Sequence, residues 1–424
     1  MTFEFATLRT RMSKATKKNQ IFAGLDVGTT KVTCTIGVVG PEGLEVIGVG
    51  QTNNQGMRQG VVVNIEATIE AITKAREEAE LMAGSTVESV WLAIGGSHVQ
   101  SFDSSGMVAI RNKEVTSEDM ARVIEAAKAI AIPNDRQVLH VLPKSFKIDD
   151  QEGINDPIGM SGVRLECSVH IITASNSAVQ NAIKCTEKSG LKVDGLVLQS
   201  LASAMAVLSP DEKNLGVCLV DMGGGTCDLV TYSQGAVVHT AVVPVGGQNF
   251  THDVAMGLRT TQVNAENLKR KYGCAIPDMV NESEAIEVES VGGRKARNLA
   301  RRDLCQVLEA RAEETLGLVR QELEAKHLIT TLGSGVVLTG GASQLQGLVE
   351  LGDFIFDLPV RRGLPDKVGG LTDVVRSASH STGVGLLLYA MSRSKVIVPK
   401  AKTSIPEEGG YFSSWSRRLK ELLG

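Results

Sequence analysis

At 424 residues, 42% of them hydrophobic and 22% charged, the chain has the size and make-up of two or more folded domains, which excludes a disordered or fibrous protein. Its longest uncharged apolar runs, Leu201–Leu208 and Val384–Met391, fall far short of the roughly 18 residues that cross a bilayer, and seven cysteines with no C-x-x-C pair argue against a disulfide scaffold or a zinc site. The net charge of −4 is uneven, since residues 1–19 and 393–424 each carry +4 and leave −12 on the body between them; that body is a poor partner for nucleic acid, whereas the basic ends suit an anionic surface.

Taken in chain order, residues 1–19 have basic side chains without an apolar stretch behind them, so they read as a solvated segment and not as a secretory signal. Gln20–Val39 reads as a strand ending in Asp26, a turn of Gly28, Thr29, Thr30 and Lys31, and a second strand, with a third at Leu44–Gly50. The spacing predicts a helix over Ile65–Ala83, where Asn64 can cap the start, Gly84 can end it, and Ile65, Ile69, Ile72 and Met82 share one face. A strand follows at Val90–Ile94, then a helix near Glu118–Ala131, strands near Val138–Phe146 and a further strand at His170–Thr173.

Leu215–Tyr232 repeats the opening pattern, with Asp221 ending a strand, Gly223, Gly224, Gly225 and Thr226 in the turn, Asp228 beyond it, and another strand at Ala236–Val243. Glu266 and Lys269 stand three apart on one helix face, a spacing common for solvated ion pairs. Between 246 and 305, Glu282, Glu284, Glu287 and Glu289 give way to Arg294, Lys295, Arg297, Arg301 and Arg302, by themselves opposite-sign surface patches. A buried strand then runs from Gly335 to Thr339 into Gly340, Gly341 and Ser343, with a helical pattern from Gln344. Beyond the linker-like Ser392–Gly410, Phe412, Trp415, Leu419, Leu422 and Leu423 line one face of a short helix, with Arg417, Arg418 and Lys420 around them. That is the pattern of an in-plane membrane anchor.

The repeated turn carries chemistry. Glycines let backbone N–H groups approach phosphate oxygens, threonine hydroxyls add donors, and an aspartate ending each first strand can hold a magnesium ion through water. Two such hairpins facing each other would clamp a nucleotide's phosphates from both sides, and the glycines after Thr339 offer a backbone surface for a base or ribose.

Together these residues resemble the actin/Hsp70/sugar-kinase superfamily, whose phosphate-1 motif looks like Asp26–Lys31, phosphate-2 motif like Asp221–Asp228 and adenosine motif like Leu338–Ser343. The connecting motif that precedes phosphate 2 looks like Asp194–Val207. Only about a dozen residues separate Gly50 from the first long helix, and about 70 intervene between the strands at Val90–Ile94 and His170–Thr173. A subdomain relocated in this way resembles the FtsA family of bacterial cell-division actins, as do the strings Gly159–Arg164, Leu191–Asp194 and Ser290–Arg294.

The resemblance implies an α/β, actin-like (ribonuclease H-like) fold of two lobes: 20–97 with 168–208, and 209–245 with 306–392, joined by an inserted subdomain at 98–167, a small subdomain at 246–305, a linker at 393–410 and an amphipathic helix at 411–424. It implies ATP and Mg2+, with Asp26 and Asp221 serving the metal, Gly28, Thr29, Thr30, Lys31, Gly223, Gly224, Gly225 and Thr226 the phosphates, and Glu266, Lys269, Arg270, Gly340, Gly341 and Ser343 the adenosine. Where Hsp70-like members carry a water-activating Glu the chain has Gln199, whose neutral amide can orient water but cannot take its proton, so hydrolysis should be slow or absent. The implied partners are an acidic C-terminal peptide of the tubulin-like protein FtsZ, met by Arg294, Arg297 and Arg301; further copies of the chain; later division proteins; and an anionic membrane at the cytoplasmic face of the septum, with no nucleic acid. A shape-determining filament like MreB and a small-molecule kinase of the same superfamily are the alternatives.

Overall fold

The computed structural model describes residues 20–40, 43–292 and 294–394. The basic segment 1–19, most of the linker and the predicted anchor with Phe412, Trp415, Arg417, Arg418, Leu419, Leu422 and Leu423 lie outside the described residues.

The two copies of the sequence pattern fold alike. Ile21–Val27 and Lys31–Gly40 form an antiparallel hairpin that pairs Asp26 with Thr33, and Val217–Met222 and Cys227–Ser233 form another that pairs Asp221 with Asp228. Each hairpin is extended on one side by an antiparallel strand, Gly43–Asn53 or Ala236–Val243, and on the other by parallel strands. The first sheet runs Lys192–Leu198, Ser89–Ile94, Ile21–Val27, Lys31–Gly40, Gly43–Asn53, Gly369–Gly370; the second runs Ala236–Val243, Cys227–Ser233, Val217–Met222, Val336–Thr339, Val360–Arg362. One apolar core, around Leu25, Ile36 and Leu92, also takes in one face of the second sheet through Val217, Leu219 and Val230, and a second core, around Val220, Leu229 and Leu338, covers that sheet's other face.

The first long helix spans Ile65–Ala83, with the Asn64 side chain accepting from Ala67 N and Gly84 in the left-handed conformation at its end. Its buried stripe is Thr68, Ala71, Ile72, Ala75 and Ala79, and Met82 is 46% exposed instead of sharing the face. The helix lies directly on the glycines of the third strand, where a Cβ on Gly50 would stand 1.9 Å from the Ala75 carbonyl oxygen. Only small side chains fit so close a backbone approach.

Three boundaries differ from expectation. The strand expected at His170–Thr173 is the end of a longer one, Arg164–Ser175, which pairs along its length with the insert strands Gln100–Ala109 and Arg136–Ile148, so the insert's sheet runs beyond 167. With the short strand Gln151–Ile154 and the helix Ser117–Lys128, capped reciprocally by Thr116 and Asp119, it encloses a separate core around Val123, Phe146 and Leu165. The connecting motif is half strand, Lys192–Leu198, and half helix, Gln199–Val207. The last helix, Ser381–Arg393, returns to the first lobe, where a Cβ on Gly24 would meet Leu386 Cβ at 2.6 Å and one on Gly385 would meet the Ala202 carbonyl oxygen at 1.8 Å. Among the described residues no helix is long and apolar enough to cross a membrane.

Candidate functional site

The two hairpin turns meet between the lobes and share one geometry. Gly28 N donates to the Lys31 carbonyl and Gly223 N to the Thr226 carbonyl, each at 2.9 Å. This closes both turns tightly and turns the intervening amides outward. The N–H groups of Thr29, Thr30, Gly224 and Gly225 have no acceptor among the described residues. The turns abut: a Cβ on Gly224 would stand 2.5 Å from Thr30 Oγ1, and one on Gly225 2.6 Å from Thr29 Oγ1. Glycine is thus required at both positions for the loops to approach at all. Buried Asn54 braces the first turn, its Nδ2 donating to the Gly28 carbonyl and its N to the Thr30 carbonyl. Gly247 N and Gln248 N, at the start of the helix Gly247–Gly257, donate to the carbonyls of Gly223 and Gly224.

Three carboxylates line the floor. Asp26, Asp221 and Asp228 are all buried, at 6%, 2% and 2% exposure, which is affordable only with compensating charge or hydrogen bonds. Asp221 accepts from Ser203 Oγ at 2.5 Å and Thr382 Oγ1 at 3.2 Å, and Asp228 from Thr226 Oγ1 at 2.8 Å and Gly96 N at 3.3 Å. The Asp26 carboxylate, unlike its backbone in the strand ladder, has no hydrogen bond among the described residues. Burial pushes its carboxyl up to about 7, against the pull of Lys31 and helped by the charges of Asp221 and Asp228. Burial likewise lifts Asp228 to about 6 and raises Asp221. Lys31, itself lowered by burial, donates through Nζ to the Ser379 carbonyl at 2.5 Å, so its single charge is shared among several neighbours.

This donor set fits a cation held at a distance. Among the described residues no three His, Cys, Asp or Glu groups converge as direct ligands, yet the cluster carries an excess of negative charge that a hydrated divalent ion bridging to phosphate would neutralise.

Beside the second loop the strand Val336–Thr339 ends at Gly340, whose φ of +84° and position 2.4 Å (from a would-be Cβ) against Asp221 Oδ1 leave no room for a side chain. Gly341 faces open space. Buried Ser343 spends its hydroxyl on the Gly340 carbonyl at 2.8 Å, so it shapes the turn. The segment after it is a single 3-10 turn, Gly341–Gln344, and the helix expected from Gln344 begins at Leu348. Across from this turn, on the helix Gln262–Tyr272, Lys269 and Glu266 form a 2.6 Å ion pair. The pair is not merely a solvated one: Lys269 Nζ also reaches the Gly247 carbonyl and Thr251 Oγ1, and Thr251 Oγ1 donates to Glu266. Arg270 is exposed at the rim.

Gln199 opens the helix Gln199–Val207, half-buried, its side-chain amide without a hydrogen bond among the described residues and its Oε1 against Gly95. It therefore flanks the same Gly95–Gly96 turn that Asp228 touches. In the small subdomain Arg294 is exposed, but Arg297 donates to the Leu258 carbonyl, and Arg301 to the Tyr272 carbonyl and to Glu284 at 2.9 Å. These two guanidiniums hold that subdomain together.

The cleft residues that sequence reasoning passed over are Asn54, Ser203, Thr251 and Thr382, and Asp228, which it placed at the end of the second motif, was given no role. Asp228 lies seven residues after Asp221, where the first copy has Thr33 after Asp26, so the repeat itself gave no carboxylate there; the others come from distant segments and carry no local signal.

The family model described as "Cell division protein FtsA" matches residues 218–385, and that described as "SHS2 domain inserted in FTSA" matches residues 96–173. The chain is 48% identical over 378 residues to the cell division protein FtsA of Pseudomonas aeruginosa, covering 89% of this chain and 91% of that one. It is 40% identical over 420 residues to that of Escherichia coli strain K12, covering 97% and 99%. Among solved structures it is similar to the PilM-PilN type IV pilus biogenesis complex (TM-score 0.62, 17% identity, 87% of this chain and 98% of that one) and to MreB5 of Spiroplasma citri bound to ADP (TM-score 0.54, 14% identity, 88% and 97%). At these identities the structural neighbours establish the actin-like fold and nothing further.

Proposed function

The chain belongs to the FtsA family of cell division proteins, and from that membership we propose that it binds ATP with magnesium in the interlobe cleft, polymerises on the cytoplasmic face of the cell membrane at the septum and tethers FtsZ filaments there, where later division proteins join. The observation that carries the nucleotide reading is the pair of matched turns with four acceptor-free N–H groups above three buried carboxylates. Amides of Thr29, Thr30, Gly224 and Gly225 would receive phosphate oxygens. Asp26, Asp221 and Asp228 would hold a hydrated magnesium ion, which supplies the positive charge the cluster lacks. The open side of Gly341, with Glu266 and Lys269 opposite, suits a nucleoside, and an acidic peptide would meet exposed Arg294 rather than the engaged Arg297 and Arg301.

From its place against Gly95, Gln199 would orient water toward the loops, and its amide cannot accept a proton. Gln199→Glu is expected to raise single-turnover ATP hydrolysis by about ten-fold or more with little change in ATP affinity. An unaltered rate would remove Gln199 from the reaction.

The membrane part rests on the apolar face of 411–424. Its insertion would contribute several kcal/mol at roughly 25 cal/mol per Å2, with about 1 kcal/mol from each basic residue near an anionic surface. A single such helix binds reversibly, and a filament carrying many gains avidity. Trp415→Glu is expected to abolish co-sedimentation with anionic vesicles and to leave Mg-ATP and FtsZ binding intact. Vesicle binding that survives the change, or that disappears together with ATP binding, would sink the anchor.

A further inference from the structure

We propose that residues 5–18 make a second membrane contact, lying on the same anionic bilayer as the C-terminal anchor and holding the first lobe against it by the end opposite the cleft turns. The proposal rests on the membrane reading above and adds to it a second attachment and an orientation.

Residues 1–19, which lie outside the described residues, contain no continuous apolar stretch, no glycine and no proline. Their apolar side chains nevertheless recur with the period of a helix. Phe5, Leu8, Met12 and Ala15 stand at i, i+3, i+7 and i+10, which at about 100° per residue gathers them into an arc of about 80°. Arg9 and Arg11 flank that arc on its two sides, Lys14, Lys17 and Lys18 take the far side, and of the large apolar residues Phe3 alone falls outside it. The one acid, Glu4, precedes the first turn, where a helix dipole favours it. A merely solvated segment has no reason to keep its apolar residues in such a period, and a narrow apolar face ringed by cations is the make-up of a segment lying in a bilayer interface. The acidic body could attract the same cations, but charge alone offers nothing to the apolar face, whereas an anionic bilayer satisfies both.

The structure brings this segment beside the other basic end. The last helix, Ser381–Arg393, runs along the first hairpin from its turn to its far end. At the turn Lys31 Nζ donates to the Ser379 carbonyl at 2.5 Å; farther on, a Cβ on Gly383 would press on Thr35 Oγ1, and one on Gly37 would stand 2.9 Å from Leu387 Cδ1. In the hairpin register Thr35 is opposite Gly24 and Gly37 opposite Phe22, so the helix advances toward the start of the first strand. It ends at Arg393, at the edge where half-exposed Ile21 begins that strand. The chain therefore leaves one end of the first lobe in both directions, away from Gly28–Lys31, and each departing segment carries +4.

Their tethers differ. The tail hangs on the linker 395–410, whereas only Asn19 and Gln20 separate Lys18 from the strand at Ile21. A long tether leaves the body free to turn above the bilayer; a two-residue one fixes which end of the first lobe meets it. One such segment binds marginally, and a second on the same body binds at the high local concentration set by the first. Losing either releases the protein, in keeping with the loss expected for Trp415→Glu.

The test uses the full-length protein with vesicles of phosphatidylglycerol and phosphatidylcholine, or of phosphatidylcholine alone. Leu8→Glu is expected to melt like the parent and to lower affinity for the anionic vesicles at least ten-fold, and Arg9→Gln to lower it about five-fold. A polarity-sensitive fluorophore at Met12→Cys, feasible because all seven native cysteines are buried, is expected to shift to the blue with anionic vesicles and to stay unshifted with phosphatidylcholine alone. Undiminished affinity in Leu8→Glu, with a parent that does bind, overturns the second contact. So does a label already blue-shifted without vesicles, which would put the segment on the protein's own body. A parent that binds neither kind of vesicle overturns the membrane reading beneath it.

Discussion

Without magnesium at pH 7.5, Asp26→Asn is expected to melt several degrees above the parent, and the same variant is expected to lose at least ten-fold in magnesium-dependent ATP affinity. The Asp26 carboxyl is raised from 3.8 to about 7 by burial, and at about 1.4 kcal/mol per pH unit its ionisation costs the folded state on the order of 4 kcal/mol. The sign is that of a carboxyl favouring its neutral form when folded. The cost is absent near pH 4, accumulates as pH climbs through the interval up to 7, and is then constant. The melting difference between variant and parent should therefore vanish at pH 4 and reach its full size near pH 7.5. Saturating magnesium and ATP should narrow or reverse it, because only the parent has the charge that the ion recognises. A melting difference that is the same at pH 4 and pH 7.5 would show that Asp26 ionisation is not the strained element.

Gly224→Val should abolish detectable ATP binding, a loss of more than about a hundred-fold. The first atom of the new side chain would stand 2.5 Å from Thr30 Oγ1 and 2.6 Å from Thr30 Cγ2, and valine adds two methyl groups beyond it in the space phosphate oxygens must reach. Two origins of the defect separate in the double variant with Thr30→Gly. If valine only props the loops apart, removing the threonine side chain restores binding; if it also covers the amides, the double variant recovers the parent's melting temperature but not its affinity. We expect the second outcome, measured by calorimetric titration with Mg-ATP. Binding by Gly224→Val at parental strength would remove 223–226 from the phosphate cradle.

How much of this was legible depended on whether the cause was local. The two hairpins, the Asn64-to-Gly84 helix and the presence of an insert follow from turn residues, caps and periodicity within single segments, and the structure has them. Met82 was misplaced because hydrophobicity marks a face only where the opposing surface has room, and Gly48 and Gly50 bring the backbone too close for anything larger than alanine. The return of Ser381–Arg393 to the first lobe is recorded in the contact of Gly24 with Leu386, more than 350 residues apart, and in that of Gly385 with Ala202, contacts that no window of sequence reveals. The same applies to Ser203 and Thr382, which meet on Asp221 from different helices. Arg297 and Arg301 looked like free surface charge because the carbonyls that occupy them, of Leu258 and Tyr272, carry no side-chain signature.

The matched hairpins also differ in one respect that gives the cleft a head and a tail. Equivalent turn positions hold Lys31 in one copy and Thr226 in the other, and equivalent strand positions hold Thr33 and Asp228. The backbone cradle is nearly two-fold symmetric, and a cradle of that kind made of amides alone would accept a phosphate chain in either direction. Its charges are not symmetric: the cation belongs to the first copy, and the additional carboxylate to the second. A chain of phosphates bearing a metal on one flank is itself polar, so only one orientation matches both. In the proposed nucleotide complex, backbone repetition would thus supply grip, while divergence at two side chains would supply direction.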